Sequence, residues 1–429
     1  MRRLALIFLG IVSFTLRFYK LGVIPKGISM EEASFGLVLS NTIGNWVLNP
    51  LFIRLPFAIL GVFSVLAFYN LLRRFSLGFR SSYLTGFLLA ITPWHIQESR
   101  IVSPGILVTF TFIVIITLVI KPIKKHSNYF PYIFIIGSLL LFTVSVVNTF
   151  SKVSNTVDVD RSLAAYIVAL RTTNIFSIKL TESYRRNLEL IYEHLDFGNY
   201  IFSGHPRQRG GVEESVKLFV SMIPLTLLGI MKSKKNIKFL GSIFLIFIAT
   251  FVFYEFRGPS ETLPVIFIFI VFAGIGVNWL LEERKLREIL VVICIFLIYE
   301  FFAFNVSYFN GLTESAFSPR KAFYRSLTEK VTELRKGNER VVINGRLANP
   351  EIFFKFYTQG SDLKNFEFRE FTIWNETGKK GIFVDLIPFE PSPVEPLYQK
   401  GGNFPESLNL LYQTEDKNAN QKIFVYRYD

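Results

Sequence analysis

The chain has 429 residues, 51% of them hydrophobic, and a formal net charge of +14. The apolar residues come in long blocks rather than periodic stripes, which argues against ordinary water-soluble domains and points to a bilayer as solvent. The basic residues sit in short connections between these blocks, so the positive charge reports membrane topology and excludes nucleic acid as a partner.

In chain order, apolar runs at residues 4–19, 51–72, 83–96, 106–120, 132–147, 218–231, 240–253, 263–281 and 289–304 predict a polytopic α-helical membrane protein with about nine transmembrane helices. Several runs are shorter than the roughly 20 residues that span comfortably. Arg2 and Arg3 precede the first run; Arg73, Arg74 and Arg80 follow the second, and Lys121, Lys124 and Lys125 the fourth. Lys232, Lys234, Lys235 and Lys238 follow the sixth, and Arg284, Lys285 and Arg287 the eighth. Every second connection is basic, which places the N-terminus in the cytoplasm and the alternate connections, with the C-terminal segment, outside. The first run resembles a signal peptide, but no small-residue cleavage site follows it, so it reads as an uncleaved span. The single cysteine, Cys294, lies in an apolar run and reads as a packing residue.

Three outward segments are too long for turns: residues 20–50, 151–214 and 305–429. In the first, Pro25 and Gly27 precede a short helix that begins near Ser29 and runs through Phe35, Val38 and Leu39, expected to lie along the outer membrane face. In the second, apolar residues at helical spacing over 161–195 predict helices. The chain thus divides into a membrane domain, 1–305, and a small extracytoplasmic α/β domain, 306–429. In the latter, 322–336 and 349–357 predict helices, and 341–343, 366–371, 381–386 and 422–428 predict strands.

The stretch Ser29-Met30-Glu31-Glu32-Ala33 places two carboxylates at an outward helix start. Ser29 and Glu32 have the spacing of a capping box, which gives Glu32 a structural role and leaves Glu31 as the candidate base. With this stretch, Arg17-Phe18-Tyr19-Lys20-Leu21 and PKGISMEEASFG resemble the first outer loop of GT-C-type glycosyltransferases. This polyprenyl-phosphate-dependent family includes protein mannosyltransferases and aminoarabinose transferases, and it carries an Asp-Glu pair followed by Ala where Glu31, Glu32 and Ala33 stand. RLPFAILGVFSVLAFYNLLRRF (54–75) resembles the family's second span, and ITPWHIQESR (91–100) its Pro-Trp-His motif. NYIFSGHPRQRGG (199–211), ahead of a span with Pro224 and Gly229, resembles a later outer loop, and Arg257, Pro264 and Ala273-Gly274 are a weaker echo.

The resemblance implies transfer of a sugar from a polyprenyl-phosphate carrier to a glycan, lipid or protein acceptor at the outer face of a plasma membrane. Glu31, with Glu32 beside it, takes the catalytic position, removing the acceptor proton. Arg100, His95, His205, Arg207, Arg209 and Arg257 are candidates to hold the departing phosphate. A divalent cation, magnesium or manganese, is compatible with the family, and no dense carboxylate cluster fixes one.

Each of these residues has a structural alternative. Arg100 and Arg257 could anchor span ends by snorkelling, His95 beside Trp94 could sit in an interfacial belt, and His205, Arg207 and Arg209 could attract anionic headgroups. Glu98 reads equally as a second acid or as an ion-pair partner. The sequence departs from the family in carrying Glu rather than Asp at 31, in a shortened first outer loop, and in fewer spans. Two other functions fit: a catalytically silent relative that binds lipid-linked glycan or scaffolds envelope enzymes, and a transporter or flippase. Span interiors from residue 218 onward are almost free of ionisable residues, which ranks the transporter last.

Overall fold

The computed structural model describes residues 2–74, 78–120, 218–233, 263–283, 286–309, 322–345, 347, 349–359, 363–369, 380–385, 408–416 and 421–428. The predicted spans at 132–147 and 240–253 and the outer segment 151–214 lie outside them. The chain forms two compact units: residues 1–21 with 54–310, and residues 22–53 with 311–429.

The first unit is helical. Its helices are α1 (Arg2–Phe18), most of α3 (Pro50–Arg74), α4 (Phe79–Ile91), α5 (Pro93–Ser99), α6 (Pro104–Ile120), α7 (Met222–Lys232), α8 (Leu263–Glu282) and α9 (Arg287–Phe309). Among the described residues, α3 and α9 are the two helices long and apolar enough to cross a membrane. Only 17% of the apolar window of α9 is buried, and Val291, Val292, Ile295, Phe296, Ile298 and Phe302 all face outward. A core helix of a water-soluble domain would hide such side chains, so a lipid environment is the physical reading of this face.

The run expected to span over 83–96 is not one helix. Thr92 is extended (φ −61°, ψ 125°), and the chain restarts as the seven-residue α5. Pro93 supplies no N–H to continue α4 and disfavours helical geometry in the residue before it, yet it suits the first turn of a new helix. At 13 and 11 residues, α4 and α7 are about 20 and 17 Å long, short of a hydrocarbon core of roughly 30 Å.

Glycines set the closest helix contacts in this unit. A Cβ on Gly229 of α7 would fall on the backbone carbonyl of Phe272 in α8, and one on Gly276 of α8 would fall on the carbonyl of Leu225 in α7. A Cβ on Gly274 would instead fall on the Thr85 side chain of α4. Where lipid replaces water, van der Waals contact between closely approaching backbones is a main source of helix association, which is why small residues occupy these positions.

The second unit is α/β. It holds α2 (Met30–Ile43), α10 (Phe323–Leu334), α11 (Pro350–Tyr357) and a five-stranded sheet in the order β2-β1-β3-β5-β4. The strands are β1 (Val341–Asn344), β2 (Phe366–Arg369), β3 (Gly381–Asp385), β4 (Leu408–Asp416) and β5 (Gln421–Tyr428). β1 pairs in parallel with β2 and β3; β5 runs antiparallel to β3 and β4, with a bulge between Leu410 and Tyr412. Alternate strand residues build two apolar layers, as the period of two requires. Val342, Phe383, Phe424 and Tyr426 cluster on one face. Phe366 and Phe368 of β2 instead meet Phe354 of α11, with ring centroids 5.9 and 5.8 Å apart, and Tyr324 of α10 stacks on Phe353 at 4.3 Å.

Candidate functional site

Glu31 and Glu32 stand in the first turn of α2, in the second unit. The capping box is present: Ser29 Oγ accepts the Glu32 N–H at 3.2 Å, and Glu32 Oε2 accepts the Ser29 N–H at 3.0 Å. Two backbone donors that a helix start leaves open are thereby satisfied, and the Glu32 carboxylate is buried and directed into the helix terminus. Glu31 is half-buried and has neither hydrogen bond nor ion pair to any described residue. Of the two acids, it is the one whose oxygens remain open to a proton.

His95, in the first unit, is fully buried and takes part in a polar chain. Arg17 Nη2 donates to His95 Nδ1 in a short contact, and His95 Nε2 lies 2.8 Å from Ser64 Oγ. An arginine only donates, so Nδ1 must be the unprotonated nitrogen and Nε2 carries the hydrogen toward Ser64. Ser64 Oγ in turn donates to the carbonyl of Gly61 at 2.9 Å. With both ring nitrogens occupied in this sense, His95 is not arranged to take a proton from Ser64, and the trio is no nucleophile and base pair.

Arg100, also fully buried, donates through Nη1 to the carbonyls of Leu16 (3.0 Å) and Arg17 (2.9 Å), and through Nη2 to that of Tyr19 (2.7 Å). Its guanidinium also lies 5.0 Å from the centroid of Phe309. It thus closes the C-terminal end of α1, where unpaired carbonyls and the negative end of the helix dipole favour a cation. Arg17 does the same for α4, donating to the Ala90 carbonyl at 3.4 Å. Arg74 reaches the Thr117 carbonyl near the end of α6 in a short contact. The opposite pole is closed by a carboxylate: Glu300 of α9 accepts the N–H groups of Val220 (2.9 Å) and Ser221 (3.1 Å) at the start of α7. Glu98 is buried and accepts the Ser103 hydroxyl.

His205, Arg207, Arg209 and Arg257 lie outside the described residues. Among the described residues, no group of three or more His, Cys, Asp or Glu side chains could hold a metal ion. Sequence reasoning quoted Arg17 and Arg54 only as parts of motifs, without a role for either, and passed over the helix-capping Glu300. Their signal was present, since each is an ionisable residue within or at the edge of an apolar run.

No family model matches the sequence, and no curated protein matches it. Among solved structures, the chain is similar to ArnT from Cupriavidus metallidurans in the apo state, with a TM-score of 0.48 and 11% identity over 98% of this chain and 97% of that one. It is also similar to the Archaeoglobus fulgidus oligosaccharyltransferase in the apo form, with a TM-score of 0.42 and 12% identity over 86% of this chain and 64% of that one. This chain therefore spans less than two thirds of the oligosaccharyltransferase.

Proposed function

We propose that this chain is a GT-C-like membrane glycosyltransferase that moves a sugar from a polyprenyl-phosphate carrier to an acceptor hydroxyl or amine at the outer face of a plasma membrane. The observation that carries the reading is the division of labour in α2. Glu32 holds the helix start, while the adjacent Glu31 keeps a half-buried carboxylate with no partner among the described residues. The surrounding PKGISMEEASFG resembles the family's first outer loop, where an acid performs this step.

As the acceptor attacks the anomeric carbon, its proton passes to a Glu31 oxygen, the carbon–oxygen bond to the carrier breaks, and the polyprenyl phosphate leaves with the bonding pair. Cations placed near that phosphate stabilise its developing charge. Because the Arg100 guanidinium already serves three helix-end carbonyls, His205, Arg207, Arg209 and Arg257 are the better candidates.

Comparison of Glu31→Gln with the unmodified chain, in transfer of label from a polyprenyl-phosphate hexose, tests the proposal. Loss of the base should lower kcat by about 100- to 10,000-fold. Equal turnover would remove Glu31 from the reaction. A second reading, a silent relative that binds lipid-linked glycan, draws support from the engagement of His95 and Arg100 in structural bonds. Absence of turnover in both proteins, with donor lipid still bound, would establish it.

A further inference from the structure

The first outer segment belongs to the same compact unit as the C-terminal α/β fold, and two glycines mark where it docks. Gly27 has φ +70°, and a Cβ there would lie 2.7 Å from the backbone N and Cα of Ala322, at the entrance to α10. Gly36 lies against α11: its Cβ would stand 2.7 Å from Cε2 of Phe356 and 3.3 Å from the Ile53 Cγ2 methyl. Phe356 is fully buried, and its near neighbour Phe354 packs on Phe366 and Phe368 of β2. Two positions apart, Phe354 and Phe356 lie on opposite sides of α11, so this helix stands between the sheet and α2.

The docked face of α2 is made of small or helix-capping residues. Glu32, Ala33, Gly36 and Ser40 are buried, at the three- and four-residue intervals that share one side of a helix. Glu31 is five positions before Gly36, which puts it roughly 7.5 Å along the axis and about 140° around it. The depth to which α2 seats on Phe356 therefore sets where the Glu31 carboxylate is held.

We infer that the C-terminal domain is the positioning element of the reaction, with Gly36 and Phe356 as positioning residues that fix the placement of Glu31. This rests on the reading of Glu31 as the base. Extra volume at Gly36 lifts the helix off the ring and carries Glu31 with it, and a displacement near 1 Å can cost about 100-fold in rate.

The test uses the full chain in lipid nanodiscs, with Cys294, its single cysteine, replaced by serine. In that background Glu31→Cys reports position through its rate of labelling by a water-soluble maleimide. Adding Gly36→Val should change that rate by about threefold or more, and adding Phe356→Ala, which vacates the ring's space, should bring it back. With Glu31 intact, Gly36→Val should lower kcat for a polyprenyl-phosphate hexose by about 10- to 100-fold, leave KM within about twofold, and be rescued by Phe356→Ala. Gly36→Ala carries the same test at smaller volume should the valine variant not fold. Unchanged labelling and kcat in the Gly36 variants, with Glu31→Gln inactive, would overturn the positioning role and leave the base. Full turnover by Glu31→Gln, or none by the unmodified chain, would overturn both.

Discussion

The two units close the ends of their helices in different ways. In the first, the polar groups at helix termini are met by charges from distant parts of the chain: Arg100 on α1, Arg17 on α4, Arg74 on α6 and Glu300 on α7. In the second, closure is local at the start of α2, while the end of α10 takes one distant donor, Arg427 of β5, whose Nη2 donates to the Leu334 carbonyl at 2.6 Å. Ser29 and Glu32 cap α2 three residues apart, and the charges of α10 and α11 pair along their own helices as Arg325–Glu329, Lys330–Glu333 and Lys355–Glu351. Reach rather than burial separates the two cases at α2, whose buried start finds both of its partners within its own first turn. Water satisfies a frayed terminus cheaply, whereas a buried one needs a dedicated partner, and the sign of that partner follows the helix dipole.

The widest separation between the units should come from Arg100→Met, which leaves three carbonyls without their donor, one in a buried and two in a partly buried setting. We expect a loss of roughly 3 kcal/mol or more, read as a fall of about 10 °C in the thermal midpoint in nanodiscs. A change no larger than that for a surface cap would break the comparison.

Gly276→Val should come next, because its side chain would enter the Leu225 carbonyl of α7. Overpacking of this kind costs about 1–3 kcal/mol, and a lower midpoint with reduced yield of folded protein would register it.

Ser29→Ala should be milder, about 1 kcal/mol, since it removes the acceptor of a single N–H, that of Glu32, and leaves the Glu32 carboxylate on the Ser29 N–H. Amide exchange confined to the first turn of α2 would sharpen the contrast, and exchange spreading through the first unit would contradict it.

The smallest effect belongs to the partly exposed pair in which Arg340 donates through Nε and Nη2 to Glu367, both at 2.7 Å. This hydrogen bonding holds the Glu367 carboxyl below its ordinary value of 4.5. A lowered value means the pair stabilises the fold where the acid is ionised, and the contribution disappears as the pH falls from 4.5 through that lowered value. Arg340→Ala should therefore flatten the acid limb of midpoint against pH while changing stability at neutral pH by less than about 1 kcal/mol.

Much of the second unit was legible from local signals. The residues expected to be strands at 341–343, 366–371, 381–386 and 422–428 contain or overlap β1, β2, β3 and β5, and Asn349-Pro350-Glu351 does open a helix that ends at Tyr357. The capping box at Ser29 was visible for the same reason, since both partners lie within one turn. β4 was not anticipated: LNLLYQTED lacks a clean alternation, and its bulge at Leu410 and Tyr412 shifts the phase partway along. In the first unit, apolar runs located α1, α3, α6, α8 and α9, but the break at Thr92 was missed although its local cause, Pro93, stands in the run. The roles of Arg17 and Arg100 depend on residues more than 70 positions away, which no local pattern encodes. Membership of the 22–53 segment in the C-terminal unit was equally invisible, because the signal is a missing side chain at Gly36 opposite a ring 320 residues later.

The rims of the sheet have a consequence for crowding. The described part of β2, Phe366–Arg369, carries Glu367 and Arg369, while β4, the opposite border, is kinked by its extra residue. Among the described residues, neither margin presents a long, flat, uncharged ladder onto which another molecule's backbone could zip. Edges of this kind disfavour the merging of sheets between neighbouring copies of the domain.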